Sequence, residues 1–216
     1  MACGCALIAY VVSVLHAPAT AEFQLEQWAN NSFGFHDIDR QRIWGTVAQS
    51  ADGSRSNNLT WAYYRYYFVR SDQFSVHTIY LRPSNIAYEI DDGAKKATLT
   101  RCSCTWGAGT PTTPDNECAQ DAEARLEDAS RIATGPVAGV TVVRYRANSD
   151  EEEHEIAFAP RYGCEVMEET RTRYNNIGLP TSYFHMVIRS YTPGEPRKEL
   201  FSPPVGYAVH ERPRLR

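Results

Sequence analysis

Residues 61–70 read Trp-Ala-Tyr-Tyr-Arg-Tyr-Tyr-Phe-Val-Arg. Aromatic and β-branched side chains at this density fit a pleated, half-buried surface and are crowded on a helix. The segment that follows behaves as its partner. Ser71-Asp72-Gln73 forms a tight polar connector, and over residues 74–82 Phe74, Val76 and Tyr80 alternate with Ser75 and His77. That alternation gives one dry and one wetter face. Residues 86–91 and 95–101 make a further hairpin around Asp92-Gly93, a dipeptide suited to a turn with positive φ. The stretch reads as an antiparallel meander.

The rest of the chain extends this plan. Residues 42–49 alternate with Ile43 and Val47 on one side, and Ala51-Asp52-Gly53-Ser54 ends them with turn chemistry. Further strands are expected at 139–146, 153–159, 165–174 and 182–191, separated by polar turns at 148–150, 160–163 and 175–180. Residues 23–39 show no clear period and are expected to form a short helix or an irregular arm. Between 116 and 133, Ala119, Ala122, Leu126, Ala129 and Ile132 recur at helical spacing, with Asp115 as N-cap and Gly135-Pro136 as the stop. The expected fold is mainly β (α+β): a curved antiparallel sheet or unclosed barrel of about eight to ten strands with one crossing helix. The expected organisation is a leader over 1–21, an arm and first strand over 22–60, the sheet with helix 116–133 over 61–209, and a tail over 210–216. Residues 22–209 form a single domain.

The leader is expected from the apolar run Ala-Leu-Ile-Ala-Tyr-Val-Val-Ser-Val-Leu ending at Leu15, which Pro18 breaks before the small-x-small site Ala19-Thr20-Ala21. No Lys or Arg precedes the run. At roughly 20 apolar residues for a bilayer span, it is too short to cross a membrane. The mature chain is then expected to be periplasmic or secreted, meeting the membrane only through the removed leader. Setting aside Cys3 and Cys5 leaves Cys102, Cys104, Cys118 and Cys164. An even count in an exported chain favours two disulfides over redox or metal chemistry. A Cys102–Cys104 bond would close a small strained ring, so these two are expected to pair with Cys118 and Cys164, the order left open. The formal charge of -4 carries no clustered basic face, and the terminal Arg212, Arg214 and Arg216 form only a short tail. Nucleic acid is therefore not an expected partner.

The C-terminal quarter carries Phe158-Ala159-Pro160-Arg161-Tyr162-Gly163-Cys164-Glu165-Val166, then a hairpin with a Gly-Leu-Pro tip, Gly194-Glu195-Pro196 and residues 200–207, Leu-Phe-Ser-Pro-Pro-Val-Gly-Tyr. This run resembles uncharacterised exported bacterial proteins. In layout, with residues 131–140 leading from a helix end into a strand, it is also similar to the periplasmic lipoprotein-sorting and lipoprotein-carrier superfamily. The resemblance implies an unclosed β-barrel covered by helices that holds acyl chains. It implies no catalytic residue.

Motifs for chemistry are sparse. His36-Asp37-Ile38-Asp39 has the atoms for a metal or an acid–base pair but no partner at helical or hairpin spacing. His77 and His185 sit among strand aromatics, and Glu151-Glu152-Glu153 lacks the spaced ligands and glycine of a calcium loop. Nucleophile-elbow, zincin and phosphate-loop motifs do not occur in the sequence. Neither a metal, a cofactor nor a catalytic residue is expected. The aromatic cluster is the lead that remains: Tyr63, Tyr64, Tyr66, Phe68, Tyr80 and Tyr88 are expected to line a ligand groove. The functional expectation is a non-enzymatic exported protein that binds a lipid, another apolar ligand or an envelope protein in the concave face of its sheet. The alternatives are an exported hydrolase built on a His/acid pair at His77 or His185, and an envelope interaction module with no ligand.

Overall fold

The computed structural model describes Leu15 and residues 17–30, 38–65, 69–101 and 118–212. Among these residues the chain forms one curved, unclosed sheet of twelve strands and a single short α-helix. The strands are β1 (Ala19–Asn30), β2 (Ile38–Gln49), β3 (Arg55–Arg65), β4 (Val69–Leu81), β5 (Ile86–Asp91), β6 (Lys96–Arg101), β7 (Ser130–Val137), β8 (Val140–Asn148), β9 (Glu152–Ala159), β10 (Glu165–Tyr174), β11 (Pro180–Pro193) and β12 (Ala208–Glu211). Their order is β12-β6-β5-β4-β3-β2-β1-β11-β10-β9-β8-β7. Every pairing is antiparallel except β12 on β6. The sheet is two meanders joined at β1 and β11.

The arm expected over 23–39 is instead part of the central strand and the start of its neighbour. In β1, Ala19, Ala21, Phe23 and Leu25 are buried while Thr20, Glu22, Gln24 and Glu26 point the other way. The apolar half of this alternation straddles the expected leader boundary. Assigning Ala19 and Ala21 to the leader leaves too few positions beyond it to show a period of two. Ala21, the expected cleavage point, lies within β1, paired with Tyr191 on one side and Val47 on the other.

Alternation builds the main core on one face. Phe23, Ile43, Ile156, Phe158, Met167 and Ile188 are all at most 2% exposed. Each full burial of such a side chain contributes about 2 kcal/mol. The helix, α1 (Ala119–Arg125), lies over this face and adds Ala122, with Cys118 and Leu126 from its two ends. Cys118 is bonded to Cys164, just before β10. Cys118 and Cys164 thus pair with each other and not with Cys102 or Cys104, which lie outside the described residues. The connectivity argument assumed that the Cys-x-Cys pair would look outward for partners, whereas the turn before β10 already holds Cys164 against the start of α1.

The helix is shorter than the expected 116–133. Leu126 is already extended at φ -124°, Asp128 turns with positive φ, and residues expected to finish the helix form β7. Ala138-Gly139, both at positive φ, close a tight hairpin that pairs β7 with β8. Gly135-Pro136 therefore sits in a strand. β7 is the last strand of the sheet, where proline's missing N–H costs no ladder bond. The turn expected at Ser71-Asp72-Gln73 also moves: those residues belong to β4, which begins at Val69.

A second, smaller core forms on the opposite face of the other meander. Ile79, Ile90 and Ala97 pack with Leu81 and Tyr88 beneath Phe201 and Tyr207. The C-terminal segment reaches this place through a 3-10 turn (Lys198–Phe201) and adds β12, whose last two residues run into what was expected to be a tail. No helix among the described residues is long and apolar enough to cross a membrane.

Candidate functional site

Across β1, β2 and β8 to β11, the face of the sheet opposite α1 is largely polar, and its side chains are arranged by the same alternation that builds the core. On β1 it presents Glu22, Gln24, Glu26 and Trp28; on β2, Arg40, Arg42, Trp44 and Thr46. Ion pairs cross it from strand to strand. Glu26 accepts from Arg40 and from Arg42 Nε (3.1 Å), and the Arg42 guanidinium stands 5.8 Å over the Tyr64 ring. Farther along, Arg144 donates to Glu155 (3.1 Å) and Glu168 (2.7 Å), and His185 Nε2 lies 3.1 Å from Glu168 Oε1. Burial alone would raise the Glu168 pKa, but the hydrogen bonds from Arg144 and His185 outweigh it and hold the carboxyl below its ordinary range. Burial, then Glu26, raises the phenol of Tyr183, which stacks on Trp28 with ring centroids 6.2 Å apart.

Two backbone irregularities meet at one place on this face. The β1–β11 register slips between Glu22 and Phe23, so that Ser190 faces Glu22, Ile188 faces Phe23 and Arg189 is the extra residue. Such a bulge re-aims a side chain. On the other side of Phe23 lies Gly45, at φ +148°, in a backbone conformation that side-chain-bearing residues avoid. A Cβ there would stand 2.1 Å from the Asn58 carbonyl oxygen. Over this distorted row opens a groove of about 520 Å³, walled by Trp44 and Tyr64 and edged by Glu22, Gln24, Arg42, Thr46 and Arg189. Trp44 is 36% exposed, unusual for so large a ring. Gln24 Oε1 accepts both Arg189 Nε (3.3 Å) and Arg189 Nη2 (3.0 Å), fixing that guanidinium at the rim.

Of the aromatic residues singled out in the sequence, Tyr64 reaches this groove and the other described ones, Tyr63, Tyr80 and Tyr88, lie elsewhere. Tyr63 is on the core side, stacked with Trp61 and Phe74. Tyr64 faces the other way and reaches the groove. Tyr80 shares the core-side parity of Val76 in β4, and Tyr88 packs into the second core. Register places Tyr80 opposite Arg55, and Tyr88 beside Ile79 opposite Ser56, each eight residues along β3 from Tyr63 and Tyr64 respectively, roughly 26 Å at the strand rise. Tyr66 and Phe68 lie outside the described residues. The groove's own residues, Glu22, Arg42, Trp44 and Arg189, went unremarked in the sequence. The one signal available was charge alternation in Glu22-Phe23-Gln24-Leu25-Glu26 matched by Arg40 and Arg42 in the next strand.

The histidines are spread over the fold. His77 Nδ1 is 3.3 Å from Asp92 Oδ2, whose other oxygen accepts the Tyr207 hydroxyl at 2.9 Å. His77 is on β4 and Asp92 just past the end of β5, whereas His185 and Glu168 are on β11 and β10. Four strand spacings separate β4 from β11, roughly 19 Å across the sheet. His154 is 3.0 Å from Glu169, and His36 lies outside the described residues. At the Glu151-Glu152-Glu153 hairpin, Glu152 accepts from Arg173 and Glu153 from the Tyr174 hydroxyl. Among the described residues no three metal-ligating side chains converge.

No protein-family model matches the chain, and no curated protein is similar to it. Solved structures similar to it include the MucA/MucB complex of Pseudomonas aeruginosa, at 12% identity over 91% of this chain and 59% of that one, with a TM-score of 0.40. The chain thus spans about three fifths of the matched protein's length. LprF from Mycobacterium bovis is similar at 7% identity over 88% of this chain and 92% of that one, with a TM-score of 0.36. A lipoprotein-sorting protein domain of the outer membrane from Vibrio parahaemolyticus is similar at 7% identity over 90% and 94%, with a TM-score of 0.19.

Proposed function

We propose that the chain is a non-enzymatic, exported binding protein of the cell envelope, and that it recognises its ligand in the groove around Trp44. The observation that carries this reading is the coincidence of a bulge, a strained glycine and an exposed tryptophan at one place in the central strands. Bulges and strand glycines cluster where a sheet is adapted to something that approaches it. Trp44 and Tyr64 offer an apolar wall, and Arg42 and Arg189 a polar rim, the usual division of labour in a ligand site. The face expected to hold an acyl chain is instead packed by its own side chains beneath α1. The Cys118–Cys164 bond fits an oxidising compartment outside the cytoplasm. The two separated His–acid pairs give the hydrolase alternative no common pocket.

The test is an NMR titration of the full chain, one probe at a time, with sub-micellar dodecanoate, trialanine and glycerophosphoethanolamine. The expected result is a saturable shift, with at least one probe, of the Trp44 indole and Gly45 amide resonances that is lost in Trp44→Ala. Shifts centred on Ala122 and Leu126 would place the ligand beneath α1 and overturn the groove reading. Silence with every probe would count equally against it.

A further inference from the structure

The groove contains two opposite charges that do not neutralise each other. Glu22 and Arg189 stand on neighbouring strands, Glu22 directly across from Ser190, and both edge the groove. Yet Glu22 makes no hydrogen bond or ion pair among the described residues, and Arg189 meets no carboxylate there, only the neutral amide oxygen of Gln24. Elsewhere on the same face the rule is the reverse: Glu26, Glu155 and Glu168 each hold one or two arginines. Gln24 Oε1 accepts from both Nε and Nη2 of Arg189, so the partner of that guanidinium is a neutral amide. Trp44, opposite Gln24 on β2, flanks β1 on the side away from β11 and exposes its ring to the same opening.

Resting on the groove reading above, we infer that the site takes a zwitterion whose ammonium and oxyanion are separated by a short linker, of the phosphoethanolamine kind. The oxyanion meets the Arg189 guanidinium, which presents a planar fork suited to a phosphodiester. The ammonium sits against the Glu22 carboxylate and the Trp44 face, a pairing of charge and ring quadrupole that favours an amine over a neutral group. A simple anion would leave Glu22 unanswered and facing it, and a simple cation would do the same to Arg189. A ligand with both charges satisfies both, and the distance between the two side chains is bridged by its linker. Of the two rim arginines, Arg42 already pairs with the Glu26 carboxylate and stands over Tyr64, which leaves Arg189 as the one that meets no carboxylate among the described residues.

The two sources of this chemistry are a free solute and a lipid headgroup at a membrane surface, and they are separated by the probes. The full chain is titrated calorimetrically with glycerophosphoethanolamine, with glycerophosphate, with vesicles of phosphatidylethanolamine and with vesicles of phosphatidylglycerol. Glu22→Gln and Arg189→Gln accompany it, each checked for an unchanged melting temperature; both side chains are exposed. The expected result is that glycerophosphoethanolamine binds better than glycerophosphate. Glu22→Gln should weaken the former about tenfold and leave the latter unchanged, while Arg189→Gln weakens both about tenfold. Binding of the phosphatidylethanolamine vesicles in addition assigns the headgroup, and binding of the free solute alone assigns a soluble ligand. Equal binding of the two solutes, or indifference to Glu22→Gln, overturns the zwitterion and leaves the groove standing. Preference for phosphatidylglycerol vesicles overturns it in the same way. If neither solute nor either vesicle binds while dodecanoate still shifts Trp44, the zwitterion alone has failed. If nothing shifts Trp44, both readings have failed.

Discussion

Gly45 is a residue whose neighbours leave it no alternative. With φ at +148° and a hypothetical Cβ 2.1 Å from a backbone oxygen, any side chain must move β3 away from β2. Gly45→Ala is expected to destabilise the protein by about 3 kcal/mol, since a forbidden dihedral and a backbone clash are both involved. Urea unfolding measures this directly, and a midpoint equal to that of the unmodified chain would show that the row relaxes freely. The same residue marks a limit of sequence reading. A lone glycine between Trp44 and Thr46 looks like a mild weakening of a strand, and only the register shows it beside Phe23 and next to the Arg189 bulge. Arg189 and Glu22 are similarly ordinary in sequence, because their meaning lies in partners 165 or more positions away.

At the scale of elements, α1 is the piece that cannot stand alone. A helix of seven residues is far below the length that holds itself in water. It is kept in place by the buried Ala122 and Leu126 and by Cys118, whose bond to Cys164 closes a sequence separation of 46. For a loop of that size the chain-entropy model gives about 4 kcal/mol. The Cys118→Ser, Cys164→Ser double variant is therefore expected to lose about 3 to 4 kcal/mol in guanidinium unfolding. A loss below about 1 kcal/mol would mean that the strands hold the helix without help. Elements with a strong local signal were legible: the hairpin of β5 and β6 around Asp92-Gly93, and β10 to its end residues, lie where alternation and turn chemistry place them. The helix was over-extended because Ala129 and Ile132 continue its period by chance. β7 is exposed along most of its length, so nothing in burial constrained those residues to declare themselves as a strand. β1 was missed for the opposite reason, since half of its buried positions resembled the end of a leader.

For the whole molecule, the beginning of β1 matters more than its small residues suggest. Ala19 and Ala21 are almost fully buried, Leu15 is 4% exposed, and the Ala17 amide donates to the fully buried carboxylate of Glu165 at 2.6 Å. A chain cut to begin at Glu22 gives up three residues of pairing on both edges of the central strand and one donor to a buried acid. It is expected to be less stable than a chain beginning at Leu15 by about 4 kcal/mol, summing one large apolar burial and a buried charge-assisted hydrogen bond. Paired thermal melts of the two decide it. Equal melting temperatures would restore Ala21 as a boundary the fold tolerates, and a large deficit would move any processing point upstream of Leu15.

The seam between β1 and β11 also has a consequence in time. β1 is the first strand to emerge from a ribosome or an export channel, but the partner on its second edge is nearly the last. Until residues 180–193 arrive, half of the future sheet must exist as a ribbon with its innermost strand open to the surroundings, a natural template for mispairing. Glu22, whose carboxylate has no partner among the described residues, lies on that open strand, and a charge on an exposed edge strand disfavours pairing with another copy. A residue that edges the groove in the finished protein is thus expected also to hold neighbouring, half-made copies of it apart.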